Sequence, residues 1–157
     1  MIRRARESDA RAVTALLAQL DYPLEAGAVA PVLAELVADP AHVALVAEED
    51  GEVVGFVNAN FRPQLHHLAQ VGTIDELVVD AGRRGRRIGE RLVEAVLEEA
   101  RRRGADVVEV MTHERRERAR AFYRRCGFEA TSIKLVHPLQ GARGGAAASD
   151  RPRSPAD

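Results

Sequence analysis

The chain has 157 residues, 46% of them apolar, and its 23 basic and 24 acidic residues leave a formal charge of −1. That length suits one domain with a core of its own, and no run approaches the roughly 18 apolar residues of a membrane span. The start, Met1-Ile2-Arg3-Arg4, lacks the apolar stretch of a secretory leader, and a single cysteine, Cys126, excludes an internal disulfide and a cysteine-built metal centre, so a cytoplasmic protein is expected.

Residues 1–5 read as a short strand. Ser8 is placed to cap a helix on which Val13, Leu16, Leu17 and Leu20 recur at helical spacing. Asp21-Tyr22-Pro23 breaks it, and a second helix is expected over 24–38, ended by Asp39-Pro40. A buried strand over 43–47 turns at Asp50-Gly51 into a returning strand over 53–61. A loop over 62–68 leads to a longer strand over 71–79. Beyond a Gly/Arg-rich stretch, a helix over 88–103 lines up Ile88, Leu92, Val96 and Leu97 and stops at Gly104. A strand over 106–111 follows, then a helix over 114–125 with Thr112 as its candidate cap, then a final strand over 128–136. On that last helix Ala119, Phe122, Tyr123 and Cys126 share a face. Residues 141–157 contain only Gly, Ala, Ser, Pro, Arg and Asp, too little apolar surface to offset ordering entropy. A domain over 1–140 and a disordered tail over 141–157 are therefore expected. The order implies an α/β fold, with a mixed sheet carrying helices on both faces.

The junction after the long strand carries the chemistry. An apolar run ends at Val78 and Val79, a loop with four arginines at positions 83, 84, 86 and 87 follows, and a helix starts at once. N–H groups at a helix start have no partner within the helix, the dipole adds positive charge there, and together they make an anion site. Guanidinium groups suit phosphate oxygens, so the ligand should carry phosphates. Charge is also divided along the chain. Residues 7–80 hold thirteen acids and two arginines, whereas residues 83–125 hold fourteen arginines and eight acids. A basic second half suits a polyphosphate, and an acidic first half favours a cationic amine, unless the charges merely solvate helix faces, several arginines having acids one helical turn away.

The loop lacks the Gly-Lys-Ser/Thr of a nucleotide-triphosphate loop and the G-x-G-x-x-G dinucleotide fingerprint. Arg84-Gly85-Arg86-Arg87-Ile88-Gly89 fits Arg/Gln-x-x-Gly-x-Gly/Ala with a departure at Arg87, and Ala119-Arg120-Ala121-Phe122-Tyr123-Arg124-Arg125-Cys126-Gly127-Phe128 follows about thirty residues on. This pair, in this order, resembles the acetyl-coenzyme A site of the GNAT superfamily of N-acetyltransferases, and the resemblance runs over residues 1–139. It implies a single-domain GNAT fold in which neighbouring parallel strands of the mixed sheet splay apart and admit the pantetheine arm.

The resemblance implies that acetyl-CoA is the acyl donor. Main-chain amides of Arg84, Gly85, Arg86, Arg87, Ile88 and Gly89 would face its diphosphate, main-chain groups of Leu77, Val78 and Val79 would pair with pantetheine, and Ala119, Phe122 and Tyr123 would line the cofactor. The Leu77 and Val79 side chains themselves read as core. The resemblance also implies Val78 N–H as the oxyanion donor and Tyr123 as the general acid. A phenol near pKa 10 can protonate a departing thiol of about 8.5. Glu76, a carboxylate between apolar neighbours on the long strand, is the candidate base or ammonium contact. Asp75 is its rival on the opposite face. His66, His67 and His113 are candidates for a pocket rim, and no histidine spacing suggests a metal site. Cys126 reads as a small buried apolar residue.

Two positions depart from the family pattern. Arg87 stands where a glycine is common and would strain the loop if φ is positive. Arg116 stands where the family often has a cofactor-contacting asparagine. The resemblance implies acetyl transfer to a primary amine in a ternary complex, the acceptor a small-molecule amine or a protein amino group. The alternatives are an acyl-CoA-binding module without catalysis, another acyl donor such as succinyl-CoA, and a nucleic-acid binder, against which stands the lack of an aromatic stacking stripe. No membrane partner is expected. An exposed terminal strand edge would suit a homodimer.

Overall fold

A computed structural model describes residues 1–20, 24, 25, 27–112, 116–137 and 139. Its elements are β1 (Ile2–Arg4), α1 (Ala10–Ala18), α2 (Val29–Ala38), β2 (His42–Glu49), β3 (Glu52–Gln64), β4 (Ala69–Val79), α3 (Ile88–Arg102), β5 (Ala105–Val110) and α4 (Glu117–Arg125). The strands form one sheet in chain order, β1-β2-β3-β4-β5. The first four pair antiparallel and β5 joins β4 in parallel, so the sheet is mixed as expected. No helix among the described residues is long and apolar enough to cross a membrane.

Alternation along each strand sends side chains to two layers. Ala44, Val46, Phe56 and Val78 pack under α1 and α2, against Val13, Leu16, Val29 and Leu33. Val43, Leu45, Val57, Ala59 and Ile74 pack on the other face, against Ile88, Leu92, Val93 and Val96 of α3. Each such fully buried aliphatic contributes about 1.5–3 kcal/mol, enough to pin α3 and with it the loop at its start. The hairpin between β2 and β3 turns as expected, Asp50 and Gly51 both having positive φ (51° and 81°).

Several boundaries differ from expectation. Ser8 caps nothing; a short 3-10 turn (Glu7–Asp9) precedes α1, and the Asp9 carboxylate accepts the Arg6 N–H at 2.8 Å. Buried Asp9 also takes both ends of the Arg3 guanidinium, at 2.8 and 2.9 Å, which defines this entry to the helix. The second helix starts at Val29 rather than 24. β3 runs on to Gln64, because Arg62, Pro63 and Gln64 pair with Val71, Gln70 and Ala69, so the expected 62–68 loop shrinks to a tight turn. Thr112 caps nothing either, since Arg116 holds the position before α4.

The largest difference is the expected strand over 128–136, which is not a strand. Ile133 and Leu135 are 90% and 91% exposed, and the outer edge of β5 has no partner among the described residues. Alternation makes a strand only where a neighbouring edge accepts it. Residues 141–157 lie outside the described residues, as do Asp21, Tyr22, Pro23 and His113.

Candidate active site

The sheet opens where β4 approaches the loop. β5 pairs with β4 only from Gln70 to Ile74, its end at Val110 lying opposite Ile74. Among the described residues, 75–79 of β4 therefore have β3 on one side and no strand on the other. The Asp80 N–H donates across to Val54 O on β3 at 2.9 Å. In an antiparallel ladder, alternate residues turn their main-chain groups to the same neighbour. Val78 thus faces β3, and Leu77 and Val79 face the gap. The Val79 carbonyl accordingly accepts the Arg84 Nε at 3.4 Å. This corrects the expectation for Val78, whose N–H is directed into the sheet and whose side chain is buried under α1 and α2. The gap-facing donors are the N–H groups of Leu77 and Val79, the latter one turn of chain from the loop.

That loop ends in an uncapped helix. No side chain caps α3, and among the described residues the N–H groups of Arg84, Gly85, Arg86, Arg87, Ile88, Gly89 and Glu90 donate to no backbone carbonyl outside the helix, Arg91 being the first to bond back, to Arg87 O. Such a run of unpaired amides at a helix start is built to take an anion. Gly85 (φ 82°) and Arg87 (φ 59°) are both left-handed. The second is the strained case foreseen for a non-glycine residue here. Arg87 turns its side chain outward, to Glu90 at 2.6 Å.

Gly89 ties this loop to α4. A Cβ at Gly89 would stand 3.2 Å from two atoms of the Phe122 ring and 3.6 Å from the Val79 side chain. The absence of a side chain lets the end of β4, the start of α3 and the face of α4 meet at one point. Tyr123 follows on that face, its ring edge-on to Phe122 and Phe128 at centroid separations of 5.1 and 5.5 Å. Burial pushes the Tyr123 phenol up to about 12, helped by Cys126 and opposed by the Arg116 charge. Such a phenol stays protonated throughout the physiological range, as a hydrogen-bond donor.

Glu76 is held from the opposite direction. A β-bulge sets Asp75 as the extra residue opposite Asn58 and Ala59; Glu76 shares a face with Val78, two residues on, and the bulge parts it from Ile74, which packs on the other face. Asn58 Nδ2 donates to Glu76 Oε2 at 3.1 Å, and Asn60 Nδ2 donates to Asp75 Oδ2 at 2.7 Å. Asn58 and Asn60 are two residues apart on β3 and share a face. Asp75 is therefore beside Glu76, not across the sheet from it as expected. Burial raises the Glu76 carboxyl above its ordinary value, against the Asn58 hydrogen bond; Asp75 raises it further and His42 lowers it. A half-buried carboxylate whose charged form is disfavoured by burial takes a proton more readily than an exposed one.

An acetyltransferase (GNAT) family profile matches residues 7–128. The chain belongs to the GNAT family. It is 34% identical over 139 residues to an aminoalkylphosphonate N-acetyltransferase of Salmonella typhimurium, covering 88% of this chain and 90% of that protein. It is 36% identical over 108 residues to glucosamine 6-phosphate N-acetyltransferase 1 of Oryza sativa subsp. japonica, covering 66% and 61%. The crystal structure of glucosamine-6-phosphate N-acetyltransferase from Arabidopsis thaliana superimposes with a TM-score of 0.75 over 88% of this chain and 97% of that one, at 24% identity, a likeness of fold. The chain is accordingly an acyltransferase acting on amino groups, on a GNAT fold.

In this GNAT enzyme the remaining candidates are scattered. His67 pairs with Asp106, and the His66 ring lies tilted against that of His67 at 4.2 Å between centroids. Both sit in the turn before β4, about 30 Å along that eleven-residue strand from its loop end. Cys126 is partly buried, and burial pushes its thiol up, away from nucleophilic use. Arg116 donates to Leu20 O at 3.4 Å, which ties α4 to the end of α1. The divided charge is partly settled within the fold. Glu49 of the β2–β3 hairpin takes Arg83, Arg86 and Arg91 at 3.4–3.6 Å, and Glu52 takes Arg83 at 3.2 Å. Of the four loop arginines, Arg84 has no acid partner among the described residues. Asn58 and Glu49 escaped sequence reasoning. A polar residue between Val57 and Ala59, in a run that reads as buried strand, was the available signal for Asn58; nothing local marks Glu49.

Proposed function

We propose that this GNAT enzyme passes the acetyl group of acetyl-CoA directly to the primary amine of a small molecule held in the same complex. One observation carries the reading: β4 main chain left open beyond Ile74 leads without interruption into an uncapped, left-handed loop at the start of α3. Amides of the stretch from Arg84 to Gly89 would hold the diphosphate, joined by the guanidinium of Arg84, which has no acid partner among the described residues and bonds only the Val79 carbonyl there. Leu77 and Val79, rather than Val78, would pair with pantetheine as an added strand does, and Ala119, Phe122 and Tyr123 would wall the arm. Acetyl-CoA supplies a thioester carbonyl and a thiol leaving group. Gap-facing N–H groups of β4 stabilise charge on the carbonyl oxygen, Glu76 takes the amine proton, and Tyr123 donates a hydrogen bond to the departing sulfur.

For the acceptor, the curated relatives supply the guide. Their names join an amine to a phosphonate or a phosphate on a small molecule. We therefore favour a small primary amine bearing such a group over the purely cationic amine that the charge division suggested. The internal pairing of Glu49 and Glu52 with Arg83 and Arg86 removes part of the motive for the latter. A cytoplasmic setting belongs to the same reading, and the unpaired outer edge of β5 suits a homodimer.

The test is thiol release from acetyl-CoA across aminoalkylphosphonates, glucosamine 6-phosphate, polyamines, aminoglycosides and a peptide with a free N-terminus. Turnover concentrated on the phospho-amines supports the reading. Turnover on the peptide alone would move the acceptor to a protein amino group. Coenzyme A binding with no turnover on any amine would make the chain a binding module.

A further inference from the structure

Asn58 is 3% exposed and lies on the face of the sheet covered by α1 and α2, opposite Ala44 of β2 and two residues from Phe56. Its Nδ2 is spent on Glu76 at 3.1 Å. Its Oδ1 is buried and has no hydrogen-bond partner among the described residues. An apolar side chain of similar volume would fit this layer without stranding an acceptor, and a stranded acceptor carries its full desolvation cost. The amide therefore weakens the core at a place where its one satisfied contact is the Glu76 carboxylate. The bulge beside it, with Asp75 as the extra residue, is what brings Glu76 round to that face.

We propose that Asn58 is a positioning residue, holding the Glu76 carboxylate in one orientation toward the acceptor side of the sheet so that it can take a proton from the bound amine. The inference rests on Glu76 acting as the base. Among the described residues, the titratable groups that reach Glu76 are Asp75 beside it on β4 and His42 from β2. From β3 it meets only neutral Asn58, and α1 and α2 turn Val13, Leu16, Val29 and Leu33 inward. Of the contacts on Glu76, the Asn58 hydrogen bond favours the ionised form.

The experiment compares full-length Asn58→Leu, Asn58→Asp, Glu76→Gln and the Asn58→Leu/Glu76→Gln pair, reading kcat/KM against pH, KM for acetyl-CoA, and thermal midpoint. Asn58→Leu should lose about 10–100-fold in kcat/KM at pH 7, with the acid limb moved to higher pH and part of the loss recovered at pH 9. KM for acetyl-CoA and the midpoint should hold, or the midpoint should rise. Asn58→Asp, nearly the same shape, should move the limb further still. The double variant should be no slower than Glu76→Gln alone, because one residue acts through the other. An unmoved acid limb in both Asn58 variants beside an inactive Glu76→Gln overturns the positioning role and leaves the base standing. Losses that multiply in the double variant overturn it too. A fully active Glu76→Gln enzyme overturns the base and this proposal together.

Discussion

Tyr123→Phe removes one oxygen from a ring lodged edge-on between Phe122 and Phe128, so the packing of α4 stays. The magnitude follows from the buried phenol, pushed up to about 12. Handing a whole proton from such a phenol to a thiolate of ordinary pKa, about 8.5, runs roughly 5 kcal/mol uphill. The hydroxyl contributes instead as a hydrogen bond to developing negative charge, about 1.5–3 kcal/mol, which is roughly 10–150-fold in rate. We expect kcat for thiol release to fall by that factor, with coenzyme A affinity by calorimetry within about twofold and stability within about 1 kcal/mol. The parent should show no basic limb from this group below about pH 11. Linkage gives an independent check. The unfolded phenol ionises near 10 and the folded one near 12, so the unfolded chain sheds its proton first. Above pH 10 the parent loses stability that Tyr123→Phe keeps. A variant within threefold of the parent kcat, or one whose coenzyme A affinity falls in step with kcat, refutes the reasoning and leaves Tyr123 a packing residue.

Gly72→Ala should lower stability by about 1–3 kcal/mol, since the new Cβ would stand 2.8 Å from the buried Phe61 ring; a parent-like urea midpoint would contradict this. Arg87→Val should lower the thermal midpoint while Arg87→Gly does not, because a β-branched side chain is least tolerated at φ 59°; equal midpoints would mean that the loop does not hold that angle in solution. Asp9→Asn should cost roughly 2–3 kcal/mol at pH 7. The Arg3 hydrogen bonds hold the Asp9 carboxyl below its ordinary value, so this stability is present above the unfolded pKa of about 4 and fades as pH falls toward the folded value. Urea titrations of parent and variant that stay equally far apart down to pH 2 would show that the pair is not the source.

Much of this was legible from residues alone. The strand–loop–helix junction and the Phe122-Tyr123 face were readable because each is local: an apolar run, a glycine-bearing turn, a 3.6-residue period. The strand over 128–136 was misread because its alternation describes one side of a pairing, and β5 is not paired with it. The oxyanion donor is assigned to Val78 by resemblance alone, and which way a main-chain N–H points depends on the partner strand's register, which no residue pattern in the chain carries. Asp75 was put across the sheet from Glu76 because a bulge, invisible to a period of two, intervenes. The divided charge suggested outside partners; the fold brings Glu49 against three arginines more than thirty positions away.

The meeting of Phe122 with Gly89 and Val79 has a mechanical consequence. Under the proposed function, the clasp for one end of a long cofactor and the wall for its other end would share a single fulcrum. A tilt of α4 large enough to relocate the phenol would lever the diphosphate grip as well, so lesions on that helix should register at both extremities of the bound molecule at once.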